Sequence, residues 1–163
     1  MMISEPLRST FGALDEWIEG QIAEAHREGY IAPKTPVRLR IVGQLALLLS
    51  ALDLPVAGTT DLDAIGTLEY PVQQQLQCLL RPLGLQLEPD QHLIWMPPDT
   101  IYRKWYDGLH VHVRVAAPRY VIASKCRFHR ERDRRLVLEF FSRYPDDRFQ
   151  IERMGIDLRW LAP

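Results

Sequence analysis

The chain has 163 residues, 47% of them hydrophobic and 25% charged, and a formal net charge of -1. That length suits one domain with a real core, and the balance is ordinary for a globular protein. A nearly neutral total gives no global reason for binding nucleic acid or an anionic membrane, so any such binding must come from a local patch.

The opening, MMISEPLRSTFGALDEW, carries acids and lacks a basic segment followed by an apolar one, so no signal peptide is expected. From Pro6 to Arg27, the residues Leu7, Phe11, Leu14, Trp17, Ile18 and Ile22 recur at helical spacing and predict an amphipathic helix. Ser9 or Thr10 is a candidate late cap, Gly29 a stop, and Pro33 and Pro36 mark a loop. Val37 to Val42 alternates and predicts a strand, with Val37, Leu39 and Ile41 on one face. Gly43 ends it. Gln44 to Leu52 is apolar almost all round and reads as a short buried helix, and no apolar run is long enough to span a bilayer.

Pro55 and Gly58 bracket the turn into a second strand, Asp61 to Ile65. Tyr70 to Leu83 predicts a helix with Pro71 in its first turn and Val72, Leu76, Leu79, Leu80 and Leu83 inward. Leu85 to Leu87 and Leu93 to Met96 are short strand candidates about a turn at Glu88-Pro89-Asp90. Leu109 to Val115 alternates most cleanly, with Leu109, Val111, Val113 and Val115 on one face and His110, His112 and Arg114 on the other. Pro118 opens a helix to about Arg127, and a second runs from about Arg134 to Tyr144. The tail, Phe149 to Leu161, fits helix or strand. Cys78 and Cys126 sit in no metal-ligand spacing, so a reduced, cytoplasmic setting with two buried thiols is expected.

The candidate chemistry begins at Asp61-Leu62-Asp63. Residues i and i+2 of a strand share a face, so the two carboxylates stand together and repel. A divalent cation relieves that repulsion, and hard oxygen ligands suit Mg2+ or Mn2+. The competing reading is a pair of acids flanking a turn and facing water. Upstream, a glycine turn before a helix can present backbone N–H groups to phosphates, and Gly43 holds that place, with Gln44 beside it. Gly43 read alone is a turn glycine. In the segment Lys125 to Arg135, Lys125 is placed to reach a phosphate, while the arginines read better as a solvated turn in which Asp133 caps the next helix and Glu131 pairs with an arginine. His110 and His112 share a strand face but have no third ligand at fixed spacing, His92 and His129 being unplaced. Trp95, Trp105 and Tyr106 line a cleft or belong to the core.

Strand, glycine turn, helix, then a carboxylate strand resembles the nucleotidyltransferase-like superfamily, the fold of polymerase beta. The run Ala117 to Lys125, followed by Arg132-Asp133 and an apolar helix, is similar to the C-terminal half of small bacterial members of that group, including abortive-infection toxins. The resemblance spans about Val37 to Tyr144. It implies one α/β (α+β) domain over residues 1–163: an N-terminal helix at 6–27, a motif core at 37–66 and C-terminal helices at 118–144 around a small mixed sheet.

It implies transfer of a nucleotidyl group from a nucleoside triphosphate to a hydroxyl of RNA, protein or a small molecule, with an antitoxin as partner and no membrane. Asp61 and Asp63 would be catalytic and bind Mg2+. Gly43, Gln44, Thr60 and Lys125 would meet the phosphates, and Asp133 would organise the turn beside Lys125. Three departures stand out. Gln44 replaces a small residue; Ala57 stands where many relatives carry arginine; and the later strand offers His110, His112 and Arg114 in place of a third carboxylate, leaving His112 as substitute metal ligand and Asp107 just outside the strand. The alternatives are a catalytically degenerate relative that binds a nucleotide or protein partner, and a metal module built on His110 and His112.

Overall fold

The computed structural model describes residues 3–88 and 94–163. Among them six α-helices and a five-stranded mixed sheet make an α+β fold. In chain order these are α1 (Ser4–Glu28), β1 (Val37–Val42), α2 (Gly43–Leu49), β2 (Asp61–Ile65), α3 (Tyr70–Leu80), β3 (Gln86–Leu87), β4 (Tyr102–Asp107), β5 (Val111–Ala116), α4 (Pro118–Phe128), α5 (Glu131–Arg143) and α6 (Pro145–Arg153). The sheet order is β3-β2-β1-β5-β4. β1 runs parallel to β5 and antiparallel to β2, β2 runs parallel to β3, and β4 pairs antiparallel with β5.

One face of this sheet builds the core. Val37, Leu39 and Ile41 of β1, Leu62 and Ala64 of β2, and Val111, Val113 and Val115 of β5 are buried in one cluster. Leu7, Phe11, Leu14 and Ile18 of α1 join it at helical spacing, each fully buried, and each such side chain contributes roughly 1.5–3 kcal/mol. Val72, Leu76 and Leu80 of α3 do the same at intervals of four. The other face of the sheet carries Arg38, Arg40, His112, Arg114, Asp61 and Asp63, set by the pairings Arg38↔His112, Arg40↔Arg114 and Val42↔Asp63. No helix among the described residues is long and apolar enough to cross a membrane.

Several expectations are corrected. Leu109 is not on the core face: it is 74% exposed in the turn between β4 and β5, where Gly108 N donates to Val111 O at 2.8 Å. β4, whose sequence YRKWYD lacks alternation, is an edge strand with a register shift between Lys104 and Tyr106. Ser9 and Thr10 lie inside α1, where the Thr10 hydroxyl donates to Pro6 O at 3.0 Å instead of capping. Cys78 is exposed because it faces away from the Val72–Leu76–Leu80 stripe, whereas Cys126 is buried and its thiol is pushed up to about 12, first by burial and then by Asp133. The tail is helical only in part: α6 ends at Arg153 with Ile151 buried in the core, residues 154–158 are turn and loop, and a single 3-10 turn follows at Arg159–Leu161. Ile94 to Met96 form no strand; Leu93, His92, Pro89 and Asp90 lie outside the described residues.

Candidate functional site

Val42 is extended, and Gly43 turns the chain into α2 with φ of 68°. That left-handed conformation is costly for any residue with a Cβ. The close approach of Asp63 imposes a second demand. A Cβ at position 43 would fall within 3.0 Å of Asp63 Oδ2 and lie 3.3 Å from its Cγ. The carboxylate of Asp63 thus occupies the space that a side chain at 43 would need. This follows from sequence alternation: Leu62 and Ala64 are fully buried, so Asp61 and Asp63 must face the other way, and the Val42↔Asp63 pairing brings the second acid beside the glycine turn.

Asp61, Asp63, Gly43 and Gln44 line a cleft of about 940 Å³. Lys125 of α4 and Arg130, Arg132 and Asp133 at the start of α5 line it too, with Glu88, Trp95 and Phe128. Burial first, then the charges of Asp61 and Glu88, hold the Asp63 carboxyl above the ordinary carboxylate range; Lys125 and Arg130 pull it the other way. The cleft therefore sets an acid pair against a cationic wall.

Lys125 Nζ lies 3.2 Å from Asp133 Oδ1, with both side chains largely buried. Asp133 does not cap α5; its other oxygen, Oδ2, has no hydrogen-bond partner among the described residues. Among the described residues Glu131 makes no ion pair. The arginines divide. Arg127 lies over the Trp95 ring at 4.5 Å and Arg134 binds the Leu161 and Ala162 carbonyls, while Arg130 and Arg132 stay on the cleft rim.

Gln44 and Ala57 touch each other. Gln44 Nε2 donates to the Ala57 carbonyl at 2.9 Å, pinning the loop before β2. Thr60 is not part of the cleft lining; it gives its carbonyl to Gln86 N at 2.8 Å, and its neighbour Thr59 takes the place expected of it, accepting from Asp61 N at 3.1 Å.

His112 is separated from the acid pair. It pairs with Arg38, four residues short of Val42 on β1, a gap of roughly 13 Å at the rise of a strand. No group of three or more His, Cys, Asp or Glu able to hold a metal occurs among the described residues. His110 turns to α1: its ring contacts Glu19 and its backbone N–H donates to Asp15 at 3.0 Å. The carboxylate that does approach the pair is Glu88, on the continuation of β3, where its N–H donates to Leu62 O at 3.0 Å. In the sequence it looks like a turn residue; the parallel pairing of β3 with β2 carries it alongside Asp63, and no local signal announces that pairing. Trp105 and Tyr106 pack against Phe11 of α1, each at 6.2 Å, and only Trp95 reaches the cleft.

Comparison of the chain with protein-family models, with curated proteins and with solved structures gives no match.

Proposed function

We propose that this chain is a nucleotidyltransferase-like protein that transfers a nucleotidyl group from a nucleoside triphosphate to a hydroxyl. The observation that carries this reading is the Asp63 carboxylate seated against Gly43, with Asp61 on the same strand face and Lys125 and Arg130 across the cleft. Two carboxylates whose charges oppose each other, one of them held above its usual range, fit a hard dication. Mg2+, or Mn2+, bound there would polarise the α-phosphate and acidify the acceptor hydroxyl. Asp61 and Asp63 would hold the ion, and other oxygens would have to complete its shell, since Mg2+ rarely takes an all-protein cage. Lys125 and Arg130 offset charge on the departing pyrophosphate. Lys125 must first loosen its hold on Asp133, so that pair positions the lysine before substrate arrives.

A second reading has its own observation. The Gln44–Ala57 bond fills space that a small residue would leave for phosphates, and β5 brings Arg114 and Ala116 where a third carboxylate would stand. These features favour a degenerate relative that binds a nucleotide, or an antitoxin-like protein, without turnover. A thermal-shift series separates the two. For the transferase, Mg2+ plus triphosphate raises Tm, Asp61→Ala removes the rise, and labelled nucleotide appears on an acceptor. A shift with triphosphate alone, unchanged in Asp61→Ala, refutes the transferase and supports the degenerate relative.

A further inference from the structure

The open face of the sheet beyond the cleft is strongly cationic. Arg38 and Arg40 of β1, Arg114 of β5 and Lys104 of β4 are all exposed on it, at positions paired Arg40↔Arg114 and Lys104↔Arg114. Strand geometry spaces their roots roughly 5 Å across the sheet and roughly 7 Å along β1. Like charges directly opposite each other weaken a sheet, yet the only carboxylate paired into this group among the described residues is Asp107, 3.6 Å from Lys104. Arg38, Arg40 and Arg114 form no ion pair among the described residues. A chain of net charge -1 has therefore concentrated cations on one face at a cost to its own stability.

The face also offers stacking surface and leads somewhere. The Arg40 guanidinium lies over the Tyr102 ring at 5.0 Å, and both line a cavity of about 510 Å³ with Trp95. That cavity shares Ile94, Trp95 and Met96 with the cleft of Asp61 and Asp63. Exposed cations beside stacking rings suit a sugar–phosphate strand with splayed bases; an acidic peptide would use the charges and leave the rings idle.

We infer that this sheet face binds a single-stranded polynucleotide and delivers its terminal hydroxyl to the acid cleft. The delivery step rests on the proposed transferase reading; the binding does not.

The test is fluorescence anisotropy of the full chain with a short labelled single-stranded RNA, and with DNA of the same sequence, without Mg2+ or triphosphate, across a salt series. Each phosphate neutralised contributes about 0.7 to the slope of log affinity against log salt, so Arg38→Gln/Arg40→Gln/Arg114→Gln should lower that slope by about 2. Tyr102→Ala should weaken binding on the order of tenfold with the slope unchanged, because it removes stacking and no charge. Arg27→Gln, on the exposed end of α1, should change nothing. Tighter binding of RNA or of DNA names the strand type, and either supports the inference.

Wild-type slope and affinity in the triple variant overturn it, as does failure of both strands to bind at low salt. Polyglutamate competing as well as RNA does the same and assigns the face to acidic protein. A melting curve by circular dichroism checks folding; should the triple variant unfold, Arg114→Gln alone should still lower the slope by about 0.7. Strand binding without nucleotide transfer sinks only the transferase, whereas transfer to a small acceptor without strand binding sinks only this inference.

Discussion

Replacing Gly43 by alanine tests the contact on which the site depends. Two costs add. The backbone at φ of 68° charges any L-residue about 1–2 kcal/mol. The new methyl must also displace Asp63: turning the carboxylate clears Oδ2, but Cγ at 3.3 Å and Cβ at 3.4 Å stay close, so the side chain leaves its rotamer well at a cost of about 1 kcal/mol. The sum is about 2.5 kcal/mol, a fall in Tm of about 5–10 °C for a chain of this size.

Gly84 supplies the control, since it has φ of 72° and nothing within 4 Å of a built Cβ. Gly84→Ala should cost the strain alone, about 1.5 kcal/mol. In an Asp63→Ala background, Gly43→Ala should cost no more than Gly84→Ala. Urea unfolding of wild type, the single variants and the double variant gives the coupling, expected at about 1 kcal/mol. A Gly43→Ala cost equal in both backgrounds to within about 0.3 kcal/mol would remove Asp63 from the glycine turn, and the proposed site with it.

The other outcomes concern charge. The folded carboxyl of Asp63 sits above its unfolded value of 3.8, so the stability tied to its protonated form is complete below 3.8 and lost as pH rises through the folded value. Asp63→Asn abolishes that loss; its urea midpoint should gain on wild type as pH climbs from below 3.8 to neutral, and parallel curves would refute this. Asp133→Ala leaves Lys125 charged and largely buried, which should cost about 3–5 kcal/mol, while Lys125→Met/Asp133→Leu recovers most of it; a harmless Asp133→Ala would show that the pair is not buried. Asp15, 7% exposed, accepts the N–H groups of His110 and Val111 at 3.0 and 3.2 Å. Asp15→Ala orphans both and should cost about 3 kcal/mol with early hydrogen exchange at the start of β5; unchanged exchange there would refute the anchor.

What could be read in advance followed period and punctuation. β1 and β2 announce themselves because one face of each is core and the other is not, which forces alternation. α1 and α3 do so because their buried residues recur at three and four. Gly43 and the acid pair were legible as a spacing, since strand geometry alone puts residues 61 and 63 on one side. β4 was not legible: an edge strand that buries little has no need to alternate. Glu88 was hidden for another reason. Its place beside Asp63 is created by pairing β3 with β2 across the whole of α3, and nothing local in Gln86-Leu87-Glu88 encodes that partner. His112 shares a face with the acid pair but not a place along it. Register, which sets position along a strand, comes from the long-range pairing of β1 with β5.

The formal charge of -1 also conceals the arrangement that matters. Folding sends Asp61, Asp63 and Glu88 to one end of the polar sheet face and Arg38, Arg40 and Arg114 along the rest of it. If stability alone had set these positions, the two groups would alternate, because opposite charges directly across strands help a sheet and like charges harm it. Instead the acids crowd until Asp63 resists ionising, and the arginines stand without carboxylate partners among the described residues. None of these three arginines is among the charges that act on Asp63. In the proposed reading a dication at one end and a phosphate chain along the other would satisfy both, and nucleotidyl transfer to a polynucleotide end would bring the two together.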